Sequence, residues 1–177
     1  MTARVEQSLT VGVALPIPEP WGEQLRQVRL GFGEERAAHI PTHVTLLPPT
    51  QVAVDRCADL EEHLAGVAER HAAFPMVLRG TGTFRPVSDV VYIQVANGVA
   101  PCEELERAVR EGPVSRELQF PYHPHVTVAH DMESATLDRA FEELSSFHCE
   151  FTADRFTLYV HDGDEVWRTL RRFQLTG

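Results

Sequence analysis

A chain of 177 residues, 43% hydrophobic and 24% charged, is long enough for one compact domain or two small lobes sharing a core, and its composition carries no signature of disorder. The formal charge of −10 argues against a broad basic surface for duplex nucleic acid and leaves room only for a local positive pocket. All sixteen basic residues are Arg, which excludes a P-loop Lys, a Schiff-base Lys and the lysine nucleophile of an ATP-dependent ligase.

In chain order, the hydrophobic period predicts a strand over Thr10 to Leu15 and a helix starting near Pro20, a residue type suited to a first helical turn. HIPTHVTLLPP reads as a short apolar strand stopped by Pro48 and Pro49. The segment Asp55 to His71 is predicted helical, with Leu60, Leu64, Val67 and Ala68 on one face and Asp55 as its cap. MVLRGTGTF and VVYIQV follow as two strands around a turn holding Pro86, Ser88 and Asp89. The order then restarts. Val90 to Val95 leads to a helix from Pro101 to Glu111 with Leu105, Ala108 and Val109 inward; HPHVTVAH is a strand, and Ser134 caps a helix reaching Phe147. CEFTADRFTLYV and EVWRTLRRFQL close the chain as a hairpin around Asp162-Gly163-Asp164.

Cys57, Cys102 and Cys149 are odd in number, widely spaced and without a CxxC pair, so they are expected as small buried residues of a reduced, cytoplasmic protein. The apolar stretch from Leu9 is short, broken by Pro16 and Pro18, and flanked by the non-basic MTARVEQ, so neither a signal peptide nor a membrane span is expected. No long exposed apolar stripe is evident, and a monomer is expected.

Overlaying the halves sets HVTLL (His43 to Leu47) on HVTVA (His125 to Ala129), 82 positions apart, and Val11 roughly on Val91, 80 apart. No low-complexity segment or long linker separates them. The expected fold is α+β: a single two-lobed domain over residues 1–177, with an internal repeat of roughly 8–89 and 90–177. Two pseudo-symmetric lobes of antiparallel sheet, flanked by helices, would face each other across an active-site cleft.

Residues two apart on a strand project to one face, so His43 points with Thr45 and His125 with Thr127, while Val44, Leu46, Val126 and Val128 face the core. Two imidazoles and two hydroxyls lining one cleft suit a phosphodiester. A neutral imidazole takes a proton from water, a protonated one supplies the departing oxygen, and the hydroxyls hold the non-bridging oxygens. Imidazole's ordinary pKa of roughly 6.5 lets both protonation states coexist near neutral pH. No metal and no cofactor is required.

The other histidines read differently. His123 shares the face of His125 between Tyr122 and Pro124; His130 falls on the opposite parity, structural or at the rim. His39, His63, His71, His148 and His161 are expected to be solvated. A zinc hydrolase would need His43 and Asp131 recruited beside His125, and a histidine-triad hydrolase is broken by Thr127. No G-x-S-x-G elbow or post-strand G-x-G-x-x-G is present.

The paired motifs in HVTLLPP and FPYHPHVTVAH, with the strand pair GTGTFRPVSDVVYIQV between them, resemble the 2H phosphoesterase superfamily and, within it, the 2'-5' RNA ligase family, over nearly the whole chain. The resemblance implies that His43 and His125 are catalytic and that Thr45 and Thr127 hold phosphate. It implies hydrolysis of 2',3'-cyclic phosphate ends of RNA or small nucleotides to 2'-phosphates, with reverse 2'-5' ligation at the same site, His125 being favoured as base and His43 as acid. Many family members carry an Arg three residues after the second Thr, where this chain has His130. Phe84 and Tyr122 border the motif strands as candidates to stack a base, and Arg85 is a candidate to bring positive charge to the cleft. The expected partner is a cyclic-phosphate nucleotide or RNA terminus, with no membrane and no duplex DNA. A non-catalytic binder of a phosphorylated ligand and a metal-dependent hydrolase remain as alternatives.

Overall fold

The computed structural model describes residues 7–114 and 116–177 and is α+β, with two four-stranded antiparallel sheets flanked by helices. Gln7 apart, the flank MTARVEQ lies outside the described residues. The first unit is β1 (Ser8–Pro16), α1 (Trp21–Gly31), β2 (His43–Ala53), α2 (Cys57–Arg70) and β3 (Phe74–Thr83). The second begins with β4 (Val90–Asn97), α3 (Val99–Arg110), β5 (His125–His130) and α4 (Ser134–Glu143), and the chain closes with β6 (His148–Ala153), β7 (Arg155–His161) and β8 (Arg168–Gln174).

Each sheet draws on both halves of the sequence. One sheet has the order β2-β1-β7-β8 and the other β5-β4-β3-β6. β3, from the first half, therefore pairs with β4, while β7 returns to pair with β1. The repeat at residue 89 is a repeat of element order, and the sheets do not divide there. The helices are exchanged too: α1 packs against β5 and α3 against β2. A single apolar cluster runs through both sheets, from Val13 and Leu15 of β1 to Met76, Val91 and Ile93 of β3 and β4.

Several sequence-based expectations are corrected. The strand holding HVTLL does not stop at Pro48 and Pro49 but continues to Ala53. β2 is a sheet edge, so a residue without an N–H can face away from the ladder at no cost in hydrogen bonds. CEFTADRFTLYV is two strands rather than one: at Asp154 the chain leaves β6 in one sheet and enters β7 in the other. Hydrophobic pattern along the chain does not name pairing partners, and so does not register a change of sheet: β6 buries Cys149 and Ala153, and β7 the continuous run from Phe156 to Tyr159. Asp55 does not cap α2, which a 3-10 turn over Val54–Arg56 precedes; nor does Ser134 cap α4, whose N-cap is Glu133 and which ends at Glu143. The inward face of α2 is Leu60, Leu64, Val67 and Ala68, as the spacing predicts. Among the described residues, no helix is long and apolar enough to cross a membrane.

Candidate active site

The two His-x-Thr strands occupy corresponding edges of the two sheets and contact each other. Their burial runs in step: in HVTLLP and in HVTVAH, His and Thr are half-buried, the residue after each is buried, and so is the fifth. The cause is a β-bulge at the same place in each. Val13 and Ala14 pair with Leu47 and Thr45, leaving Leu46 over; Val91 and Tyr92 pair with Ala129 and Thr127, leaving Val128 over. The extra residues lie 82 positions apart (46 to 128), as do the histidines (43 to 125). A bulge sets two successive residues inward and reverses the parity beyond it. His130 consequently emerges on the face of His125 and Thr127, not on the opposite one, with its Nε2 at 3.2 Å from Asp131. Register also corrects the alignment of the first strands. Pro16 lies opposite His43 and Gln94 opposite His125, 78 positions apart (16 to 94), so Val13, not Val11, corresponds to Val91.

A second shared feature escaped the sequence reading. His43 Nδ1 lies 2.5 Å from the Pro41 carbonyl and His125 Nδ1 lies 2.7 Å from the His123 carbonyl. A carbonyl only accepts, so each ring donates from Nδ1, and the proton that comes and goes belongs to Nε2. Both imidazoles thus leave the same nitrogen, Nε2, as the titrating position. Burial lowers the pKa of each below the ordinary value, opposed by the backbone hydrogen bond; the nearby Arg29 and His125 lower His43 further. Neutral imidazole is therefore favoured at both positions, and an anion between the rings would favour the protonated form.

The strand carrying His43 is fixed from behind by a buried ion pair. Arg29 of α1 reaches Glu34 with Nε at 3.1 Å and Nη2 at 3.2 Å, and its Nη1 donates to the Ile40 carbonyl. This pins the connection that delivers the Pro41 carbonyl to His43. Thr42 adds a hydroxyl bond of 2.8 Å to the Gly22 carbonyl on α1. The hydroxyls of Thr42, Thr50, Thr81 and Thr83 each donate to a backbone carbonyl; among the described residues, those of Thr45 and Thr127 make no such bond.

The remaining candidates lie around this centre in varied roles. Phe84 sits at the site, its ring centroid 4.9 Å from His125 and 4.5 Å from Tyr92. His123 precedes β5 and is exposed, its ring 6.3 Å from that of His125. Tyr122 turns its hydroxyl to the Thr45 carbonyl at 2.8 Å, and burial raises its pKa. Arg85 is held at Asp138 of α4 by a 2.8 Å ion pair. His63 is not solvated as expected: it bridges α2 to the Ala108 carbonyl of α3 at 2.8 Å. Among the described residues, no three His, Cys, Asp or Glu side chains converge as a metal site.

Trp167, Tyr159 and Gly12 were not singled out by the sequence, yet they bound a cavity of about 170 Å³ that ends at His43 and Thr45. A larger cavity of about 530 Å³ shares Ile40, Pro41, Tyr159 and Trp167 with it but touches none of the four motif side chains. Trp167 reaches this place from the β7–β8 connection, and no local pattern connects it with strands more than a hundred residues earlier.

Comparison with known proteins agrees with this architecture. The family model described as the 2'-5' RNA ligase superfamily matches residues 16–165. A protein of Oceanobacillus iheyensis, provisionally named a phosphoesterase, is 27% identical over 168 residues, covering 93% of this chain and 96% of its own. One from Bacillus cytotoxicus, named in the same way, is 26% identical over 140 residues, covering 78% and 81%. Among solved structures, E. coli LigT complexed with 3'-AMP superposes with a TM-score of 0.70 at 20% identity, covering 97% of this chain and 100% of that one. A Thermus thermophilus structure does so with 0.61 at 21% identity, covering 95% and 98%.

Proposed function

The chain belongs to the 2'-5' RNA ligase superfamily, and on that basis we propose that it is a metal-independent phosphodiesterase opening 2',3'-cyclic phosphates of nucleotides or RNA ends to 2'-phosphates. Family membership and the names of the relatives support a phosphoesterase activity; the cyclic substrate and the paired-histidine chemistry are our reading. The observation that carries it is the duplicated Nδ1-to-carbonyl bond, which leaves two Nε2 atoms as the exchangeable positions of one site.

In this reading His125 Nε2 removes a proton from water as its oxygen bonds to phosphorus, and the phosphorus–O3' bond breaks. His43 Nε2–H gives its proton to O3', leaving a 2'-phosphate and a free 3'-hydroxyl. Thr45 and Thr127 donate to the non-bridging oxygens and fix the in-line geometry. We assign His43 to the leaving side because the open cavity lies against it, with room for the base of a nucleotide that stays bonded through O2' as O3' leaves phosphorus. The lowering of both imidazoles by burial fits a substrate that carries the counter-charge: the phosphodiester anion raises the imidazole that must act as acid. The binding of 3'-AMP by E. coli LigT supports a nucleotide-type ligand.

The deciding experiment is hydrolysis of 2',3'-cyclic AMP in EDTA, with product identity read by phosphorus NMR. We expect 2'-AMP. Activity lost to chelator and restored by zinc would overturn the metal-free mechanism. Tight binding by calorimetry with no product would instead favour a ligand-holding role.

A further inference from the structure

We propose that the cavity beside His43 seats the base of the nucleotide, held against the indole of Trp167. The proposal rests on the cyclic-nucleotide reading and adds to it the part of the substrate that is recognised away from phosphorus.

The cavity opens at His43 and Thr45, is floored by Gly12 and Ala14 of β1, and is walled by Tyr159 and Trp167. At about 170 Å³ it is smaller than the roughly 300–1,000 Å³ of ordinary small-molecule sites. It therefore has room for one planar ring system, with ribose and phosphate left at the mouth between the motifs. Apart from His43, its lining carries no ionisable group other than the Tyr159 phenol, whose pKa burial raises. A second phosphate has no counter-charge there, whereas a neutral heterocycle meets apolar and aromatic surface.

Trp167 is set for this role by its neighbours. Its backbone N–H donates to the His39 carbonyl at 3.1 Å. The connection leading to it is closed by the Asp164–Arg168 ion pair at 2.7 Å and by the Val166 N–H on Asp164. His161 meets the indole edge-on at 4.7 Å and Tyr159 does so at 6.3 Å. The far edge of the ring lies directly over β1: a Cβ on Gly12 would stand 2.9 Å from it, closer than side-chain carbons sit. Only glycine lets the indole lie this deep.

Among the described residues, aromatic side chains occupy the equivalent place on the other sheet. Tyr92 occupies the register position there that Ala14 holds here, and Phe84 covers it at 4.5 Å. Gly82 lies beneath the phenol ring, where a Cβ would come within 2.6 Å. Aromatic side chains thus fill one flank of the pseudo-symmetric pair, and the opposite flank is open to an aromatic ligand. With stacking as the main contact and few polar groups in the lining, the presence of a base should matter more than its identity.

Trp21, on α1 against Phe151, is the other tryptophan of the chain and does not line the cavity. In Trp21→Phe, fluorescence therefore reports Trp167 alone. Titration with 2'-AMP should quench it, and inorganic phosphate should not. In steady-state assays, Trp167→Ala should raise KM for 2',3'-cyclic AMP roughly 5- to 100-fold, leave glycerol 1,2-cyclic phosphate unchanged, and be largely rescued by Trp167→Phe. Equal losses with the base-bearing and base-free substrates would overturn the proposal, as would 2'-AMP binding seen by calorimetry without quenching, or no 2'-AMP binding at all. Quenching by 2'-AMP without turnover of any cyclic phosphate would uphold the base pocket and sink the phosphodiesterase. Turnover indifferent to Trp167→Ala would do the reverse.

Discussion

The Tyr122 hydroxyl donates to the Thr45 carbonyl across 2.8 Å, so the segment leading into the second motif is fastened to the backbone of the first. Tyr122 is thereby committed to joining the sheets and does not offer its hydroxyl to a ligand. Tyr122→Phe keeps the packing and leaves a partly buried carbonyl unpaired, which costs about 1–3 kcal/mol. Urea denaturation should show that loss, and the pH dependence of turnover should keep its shape.

His43→Ala and His125→Ala should each lower kcat for a 2',3'-cyclic nucleotide by roughly 10²–10⁴-fold while circular dichroism stays unchanged. Single-turnover measurements separate this from a change in product release. Full activity in either variant removes that residue from the chemistry.

The threonines are expected to act through their hydroxyls. Thr45→Val and Thr127→Val should lower kcat by roughly 10²–10³-fold, the cost of one lost donor to developing charge. The serine variants should recover most of it. If valine is tolerated at both positions, the phosphate is held by other groups.

Burial lowers both site imidazoles below the ordinary value of about 6.5. NMR titration of the free protein should place both midpoints below that of an exposed histidine, and added phosphate should move them up. For stability the sign follows from proton uptake: at these positions the unfolded chain binds protons more tightly than the folded one. Their destabilising effect is absent well above about pH 6.5, grows as the pH falls from there towards the lower folded values, and levels off below them. A His43→Gln/His125→Gln double variant should therefore lose less stability between pH 6.5 and 5 than the parent protein. Equal slopes would mean the rings are not buried in the way described.

Glu34→Ala strands the buried Arg29 guanidinium and should cost about 3–5 kcal/mol in urea denaturation. Adding Arg29→Met should recover most of this, because the cost lies in an uncompensated charge more than in a lost attraction.

Much of this molecule can be read along the chain. Alternation in HVTLL and HVTVA predicts strands, their repetition predicts paired sheets, and the i, i+4, i+7 spacing of Leu60, Leu64 and Val67 predicts the inward face of α2. Each of these depends on neighbours within a few residues, where period and burial are locked together.

The rest depends on partners that local pattern cannot name. An edge position lets β2 run through Pro48 and Pro49, and a bulge set by β4 turns His130 onto the site face. Arg85 is drawn to Asp138, fifty-three residues on, and Trp167 is laid over Gly12. The chain by itself therefore determined which side chains are the candidates for the chemistry, since two imidazole–hydroxyl pairs recur at one spacing. Only the tertiary structure decided which nitrogen each imidazole exposes and on which side the site is open, because carbonyl geometry and aromatic packing arise from contacts between segments far apart in sequence.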